Sequence, residues 1–115
     1  MVNLTSSVFD SQAFNANLFF PRGDTAPTPG NSDEIKVEVE TETFIHIRRH
    51  LSPEARFSLL FFHGNGEIVS DYDNLAGHFN ALGAELIVAD FRGYGRSTGT
   101  PTLRAALEDA HKIFN

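Results

Sequence analysis

Three groups of residues carry the types and spacings that chemistry needs. Gly95-Arg96-Ser97-Thr98-Gly99 spells G-x-S-x-G, the pattern in which a serine sits on a strained strand-to-helix turn with its hydroxyl exposed for nucleophilic attack. Asp109 and His111 follow it, so an acid and a base come after the serine in the order such a triad uses. His63-Gly64-Asn65-Gly66 is a turn whose glycines let backbone N–H groups approach a ligand closely. His46 and His50 lie four apart.

Context decides against the first group. An elbow needs a strand running straight into the serine and a helix leaving straight from it. The apolar run Ala84 to Ala89 ends at Asp90, Phe91 to Arg96 intervene, and Thr100-Pro101 follows. Ser97 is therefore expected in a loop or turn. Asp109 and His111 are two apart on an expected helix and point to different faces. Ser52 precedes a proline, Ser58 lies inside an apolar strand and Ser70 reads as a helix cap, so none of them occupies an elbow. His46 and His50 lie on or near a strand and lack the facing helix of a metal pair. With His78 and His111, they are expected at the surface. No metal site and no cofactor site emerges.

The elements that would position these residues follow from periodicity. Ile35, Val37 and Val39 alternate with Lys36, Glu38 and Glu40, as in a half-buried strand. Thr43 to Arg48 repeats the alternation through Ile45 and Ile47, and Glu40-Thr41-Glu42 joins the two as a hairpin. Asp33, Glu34, Glu38, Glu40 and Glu42 read as a solvated strand face. Phe57 to Phe62 and Ala84 to Ala89 do not alternate, which predicts strands buried on both faces, as in a parallel sheet. Between them Tyr72, Leu75, Phe79 and Leu82 fall at helical spacing, with Ser70 as N-cap and Gly83 as C-cap. Thr102 caps a second helix whose expected apolar face is Leu103, Leu107, Ala110 and Phe114. The order is a β-hairpin leading into a parallel βαβ unit, an α/β fold with a right-handed crossover.

Composition bounds the function classes. The 115 residues are 41% hydrophobic and 21% charged, with a net charge of −6 and no cysteine. The acidity argues against nucleic acid as a partner. The missing cysteines rule out disulfides and thiolate chemistry. No apolar run reaches the roughly 20 residues of a membrane span, and the first twenty residues do not read as a signal peptide. A soluble, cytoplasmic protein is the resulting expectation.

Phe61-Phe62-His63-Gly64-Asn65-Gly66 together with Ile87-Val88-Ala89-Asp90-Phe91-Arg92-Gly93-Tyr94-Gly95-Arg96-Ser97 resembles the front of an α/β-hydrolase. The pair of motifs is most similar to the Bem46- and ABHD-type serine hydrolases, which include esterases and thioesterases. The resemblance covers residues 35–115 and implies the N-terminal part of an α/β-hydrolase domain, preceded by a poorly defined segment, 1–34. It implies that Asn65 offers its backbone N–H to an oxyanion hole, supported by Gly64 and Gly66, and that His63 supports the turn without acting as a base. It implies structural roles for Asp90 and Arg92 in the loop after the fourth strand.

In that family the nucleophile, acid and base follow the fifth strand. By the resemblance they lie outside this chain, which is then expected to be inactive alone. Phe57–Phe62 is expected to present an open edge where a complementary chain or a second copy could pair. Two other readings stay open. Asp-nucleophile relatives of the haloalkane dehalogenase and epoxide hydrolase type also carry a His-Gly turn, some with an Asn whose side chain is used. A non-catalytic relic or interaction fragment is the third. In the hydrolase readings the partner is a small-molecule substrate, an ester or thioester in the serine case.

Overall fold

The computed structural model describes residues 7–114. The first six residues of the N-terminal segment and Asn115 lie outside the described residues. A short helix, α1 (Gln12–Leu18), is capped by Ser11, whose Oγ accepts from the Phe14 N–H at 3.1 Å. The hairpin follows as β1 (Ser32–Glu40) and β2 (Thr43–His50), turning at Glu42 with φ 60°. The first strand starts three residues before the alternating stretch, because Ser32 to Glu34 pair with Arg48 to His50. Then come β3 (Phe57–Phe62), a 3₁₀ turn (Val69–Leu75) running into α2 (Ala76–Ala81), β4 (Ala84–Ala89) and α3 (Leu103–Phe114).

The four strands form one sheet in the order β1-β2-β4-β3. β1 and β2 are antiparallel, β2 and β4 antiparallel over three residue pairs, and β3 and β4 parallel over six, Phe57↔Ala84 to Phe62↔Ala89. The α/β reading and the parallel pair are thus observed.

Each face of the sheet has its own core. On one, Val39, Ile45, Ile47 and Ala89 pack with Val37, Phe62, Ile87 and Ile113 of α3. On the other, Val69, Ala76, Leu86 and Val88 pack with Leu59, Phe61, Tyr72 and Phe79. β4 contributes alternate residues to both, so its unbroken apolar run reports double burial. β3 was expected to be doubly buried as well. It is not: it lies at the sheet edge, and Phe57 is 55% exposed.

The helices differ in which face they turn inward. Leu75 and Leu82 are exposed, while Val69 and Ala76 are buried. The first half winds as 3₁₀, three residues per turn, which rotates the face away from an α-helical register. Ser70 is not its cap; the Asp71 carboxylate accepts from the Ile68 N–H at 3.0 Å. Gly83, at φ +85°, does close α2. In α3 the Thr102 cap is present, accepting from the Ala105 N–H at 3.1 Å. Leu107 and Phe114 face outward, and Asp109 is buried with Ile113 on the packed side.

Candidate active site: the turns after β3 and β4

Both parallel strands end in polar, glycine-containing loops at the same end of the sheet. This is where ligands bind in open α/β folds. Their meeting point is Asp90, the first residue past β4 and 1% exposed. Its carboxylate lies 3.1 Å from His46 Nδ1 on β2 and 3.0 Å from His63 Nε2 after β3, and it accepts from the Val69 N–H at 2.9 Å. Burial alone would raise this carboxyl; the bonds from His46, His63 and Val69 outweigh it and hold the group below the usual carboxylate range. Gly95 is required here. It has φ +53°, and a Cβ on it would stand 2.7 Å from Asp90 Cγ.

The loop after β4 then winds back. Tyr94 N donates to Phe91 O at 2.9 Å and Ser97 N to Tyr94 O at 2.8 Å. Ser97 is buried, its Oγ accepting from the His46 N–H at 2.8 Å and donating to Asp90 O at 3.3 Å. Its hydroxyl faces inward, as a turn residue's does and a nucleophile's does not. Asp109 pairs with Arg92 at 2.8 Å, and His111 lies on the exposed side of α3. Among the described residues, the structure does not bring Ser97, Asp109 and His111 together.

Arg92, which also bonds Glu40, ties α3 to the loop and the hairpin, as expected of a structural residue. His63 holds its turn between Asp90 and the Gly64 carbonyl, 3.0 Å from Nδ1. In that turn the Gly64 N–H donates to Glu67 at 2.5 Å, and Glu67 also accepts from the Tyr72 hydroxyl at 2.6 Å. These bonds keep the Glu67 carboxyl low, the Tyr72 contact foremost. Burial, with Glu67 beside it, pushes the Tyr72 hydroxyl up to about 12. Gly66 takes φ +83° and reverses the chain.

The Asn65 side chain is occupied on every side. Its Oδ1 accepts from the Tyr94 hydroxyl at 2.5 Å and the Phe20 N–H at 3.1 Å, and its Nδ2 donates to Leu18 O. Its backbone N–H donates to no acceptor among the described residues.

Two features escaped the sequence reading. The first is a strap, Leu18 to Asp24, laid across both loops. Arg22 bonds Asp71 at 2.6 Å and Gly66 O at 3.2 Å, while its own carbonyl accepts from Gly95 N at 2.6 Å. Phe19 is buried against Phe91 and Tyr94. The one sequence signal was the apolar Leu18-Phe19-Phe20-Pro21 run.

The second is a buried polar belt on β2. His46 and His50, expected at the surface, are 2% and 4% exposed. They flank Arg48, wholly buried, which bonds Glu34 at 2.6 Å, Asp73 at 2.9 Å and Ser70 Oγ at 3.0 Å. Burial opposes the Arg48 charge, and the bonds to Glu34 and Asp73 more than restore it, so its pKa is raised. Burial lowers the His50 imidazole against the pull of Asp73. The acidic stretch is accordingly not all solvated: the Glu34 side chain, 28% exposed, serves Arg48 and Arg96, while Glu40 stays exposed although it bonds Arg92. Among the described residues no cluster has the donors of a metal site, and no helix is long and apolar enough to cross a membrane.

Comparison with known proteins agrees with this architecture. The family model for serine aminopeptidase, S33, a hydrolase family, matches residues 53–115. Protein bem46 of Schizosaccharomyces pombe is 33% identical over 93 aligned residues, covering 72% of this chain and 31% of that protein. The multifunctional-autoprocessing repeats-in-toxin protein of Vibrio cholerae is 31% identical over 58 residues, half of this chain and 1% of the toxin. Two solved structures share the fold. An α/β hydrolase from Vibrio vulnificus has a TM-score of 0.59 at 20% identity, over 75% of this chain and 29% of that one. A protein described as a predicted CIB-like hydrolase, from Thermoplasma acidophilum, has a TM-score of 0.54 at 24% identity, over 72% and 42%. The chain thus spans under a third of the bem46 length. With a mixed sheet ordered β1-β2-β4-β3, Bem46-like sequence and the matched family model, the chain belongs to the serine aminopeptidase S33 family of α/β-hydrolases, as a Bem46-like N-terminal portion of that fold.

Proposed function

We propose that this chain is the front of a serine hydrolase acting on an ester or thioester, and that Asn65 gives one backbone N–H to the oxyanion hole. One observation carries the reading. The Asn65 side chain is bound by Leu18, Phe20 and Tyr94, which leaves its backbone N–H as the group available at the turn. A donor fixed before reaction stabilises charge developing on a tetrahedral oxygen more than water does. Gly66, by reversing the chain at φ +83°, keeps a side chain away from that approach. The same occupancy argues against an Asp-nucleophile hydrolase that uses an Asn side chain here. The proposed mechanism is acylation of a serine supplied by the rest of the protein, followed by attack of a histidine-activated water.

The test uses the full-length protein that contains this chain. A fluorophosphonate probe should label one serine, and p-nitrophenyl butyrate or an acyl thioester should be turned over. Asn65→Pro, which deletes the N–H, should lower kcat by about 10²–10³-fold relative to Asn65→Ala, which keeps it. No labelling would withdraw the serine mechanism. Equal kcat in the two variants would withdraw the oxyanion role.

A further inference from the structure

Resting on the Asn65 reading above, we infer that Tyr94 is a positioning residue for the oxyanion turn, acting through the Asn65 side chain and the strap Leu18–Arg22. The direction of the Asn65 N–H is set by the peptide plane between Gly64 and Asn65. Nothing covalent fixes that plane in a turn containing two glycines. Locally the Gly64 carbonyl of that plane lies 3.0 Å from His63 Nδ1 and accepts from the Glu67 N–H at 3.1 Å. Three contacts from two distant segments anchor the Asn65 side of it, through the side chain: Leu18 O, Phe20 N–H and the Tyr94 hydroxyl.

Tyr94 is the pivot. It is wholly buried, and its ring is packed by Phe19, Phe91 and His63 at centroid distances of 6.4, 5.4 and 5.5 Å. Its hydroxyl donates to Asn65 Oδ1 at 2.5 Å and accepts from the Phe20 N–H at 2.8 Å. The Phe20 N–H is thus shared between the Tyr94 and Asn65 oxygens. One closed triangle of polar atoms links the strap, the loop after β3 and the loop after β4. Arg22 fastens the far side of the same turn, through Gly66 O and Asp71, and accepts from Gly95 N.

Tyr94→Phe keeps the ring contacts and removes only the hydroxyl. In the full-length protein with p-nitrophenyl butyrate, kcat should fall between roughly tenfold and a hundredfold, since small misplacement of a reacting group costs that much. KM should stay within about twofold, because the N–H acts in the transition state more than in substrate binding. Asn65→Ala should cause a loss of similar size, and the double variant no more than the larger single loss, since both cut one link. Amide hydrogen exchange should quicken at residues 18–22 and 64–66 in Tyr94→Phe, with β4 unchanged. Unchanged kcat and exchange would overturn the inference, as would losses that multiply. Failure of the serine mechanism shows separately, as absent fluorophosphonate labelling of the unsubstituted protein, while the exchange readout still decides whether Tyr94 holds the turn.

Discussion

Replacing Asp90 with asparagine tests the buried junction on which both loops rest. The carboxylate takes three bonds, from His46, His63 and the Val69 N–H. A hydrogen bond to an ionised group contributes about 1.5–3 kcal/mol and a neutral one about 0.5–1.5. Asp90→Asn therefore costs about 1 kcal/mol per bond, or about 3 kcal/mol in all. The amide has one acceptor oxygen. With that oxygen kept on His63 and Val69, its NH₂ faces His46 Nδ1. His46 can accept there by moving its proton to Nε2, 3.1 Å from Glu34 Oε1. For a urea slope of about 2 kcal/mol/M the unfolding midpoint falls by about 1.5 M. Circular dichroism of the full-length protein that contains this chain would follow it. The pH dependence gives a second check. Asp90 is lowered below 3.8 in the folded state, so its contribution is present above that value and lost as pH falls through the folded pKa. The variant should lose part of the stability gained between strong acid and pH 4. Glu34, Glu67, Asp71 and Glu85, also lowered, keep the rest. A loss under about 1 kcal/mol with an unchanged acid limb would refute the three-donor junction.

Ser97→Ala should leave full-length turnover within about twofold while costing about 1–2 kcal/mol of stability, because the His46 N–H loses a buried acceptor; abolished turnover would restore Ser97 as nucleophile. The isolated 115-residue chain should self-associate at micromolar concentration in sedimentation velocity, since β3 offers an unpaired edge ending in the exposed Phe57; a monomer that unfolds cooperatively would contradict that.

The parallel pair was legible because β4 packs against both cores, and a strand buried on both faces must be apolar throughout. The glycine turns were legible because Gly66 and Gly95 adopt left-handed backbone that other residues avoid. Local order places Ser97 in a turn, and there the structure buries it, its hydroxyl bonded to the His46 N–H and Asp90 O. The belt on β2 was not legible. His46, Arg48 and His50 alternate with Ile45 and Ile47 as a solvent face would, yet that face is covered by the 3₁₀ turn and met by Asp73, Asp90 and Glu34. Only Glu34 is a strand partner, opposite Arg48; the others come from segments 25 and 44 residues away. Periodicity reports which side chains share a face, and pairing decides whether that face is wet. The helix faces failed for a related reason: 3₁₀ winding and the Arg92–Asp109 pair each rotate the packed side away from the apolar one.

The position of β4 has a consequence for how the sheet comes into being. β4 is the last of the four strands in the chain, yet it lies between β2 and β3. A ribosome therefore releases the hairpin and then β3 before the strand that joins them exists. Until β4 emerges, β2 has a vacant side and β3 has no neighbour in the final arrangement. The nascent chain has to keep those two from pairing with each other. His46, Arg48 and His50 on β2, with Arg48 already paired to Glu34 across the hairpin, make that strand a poor partner for the apolar β3 during the interval.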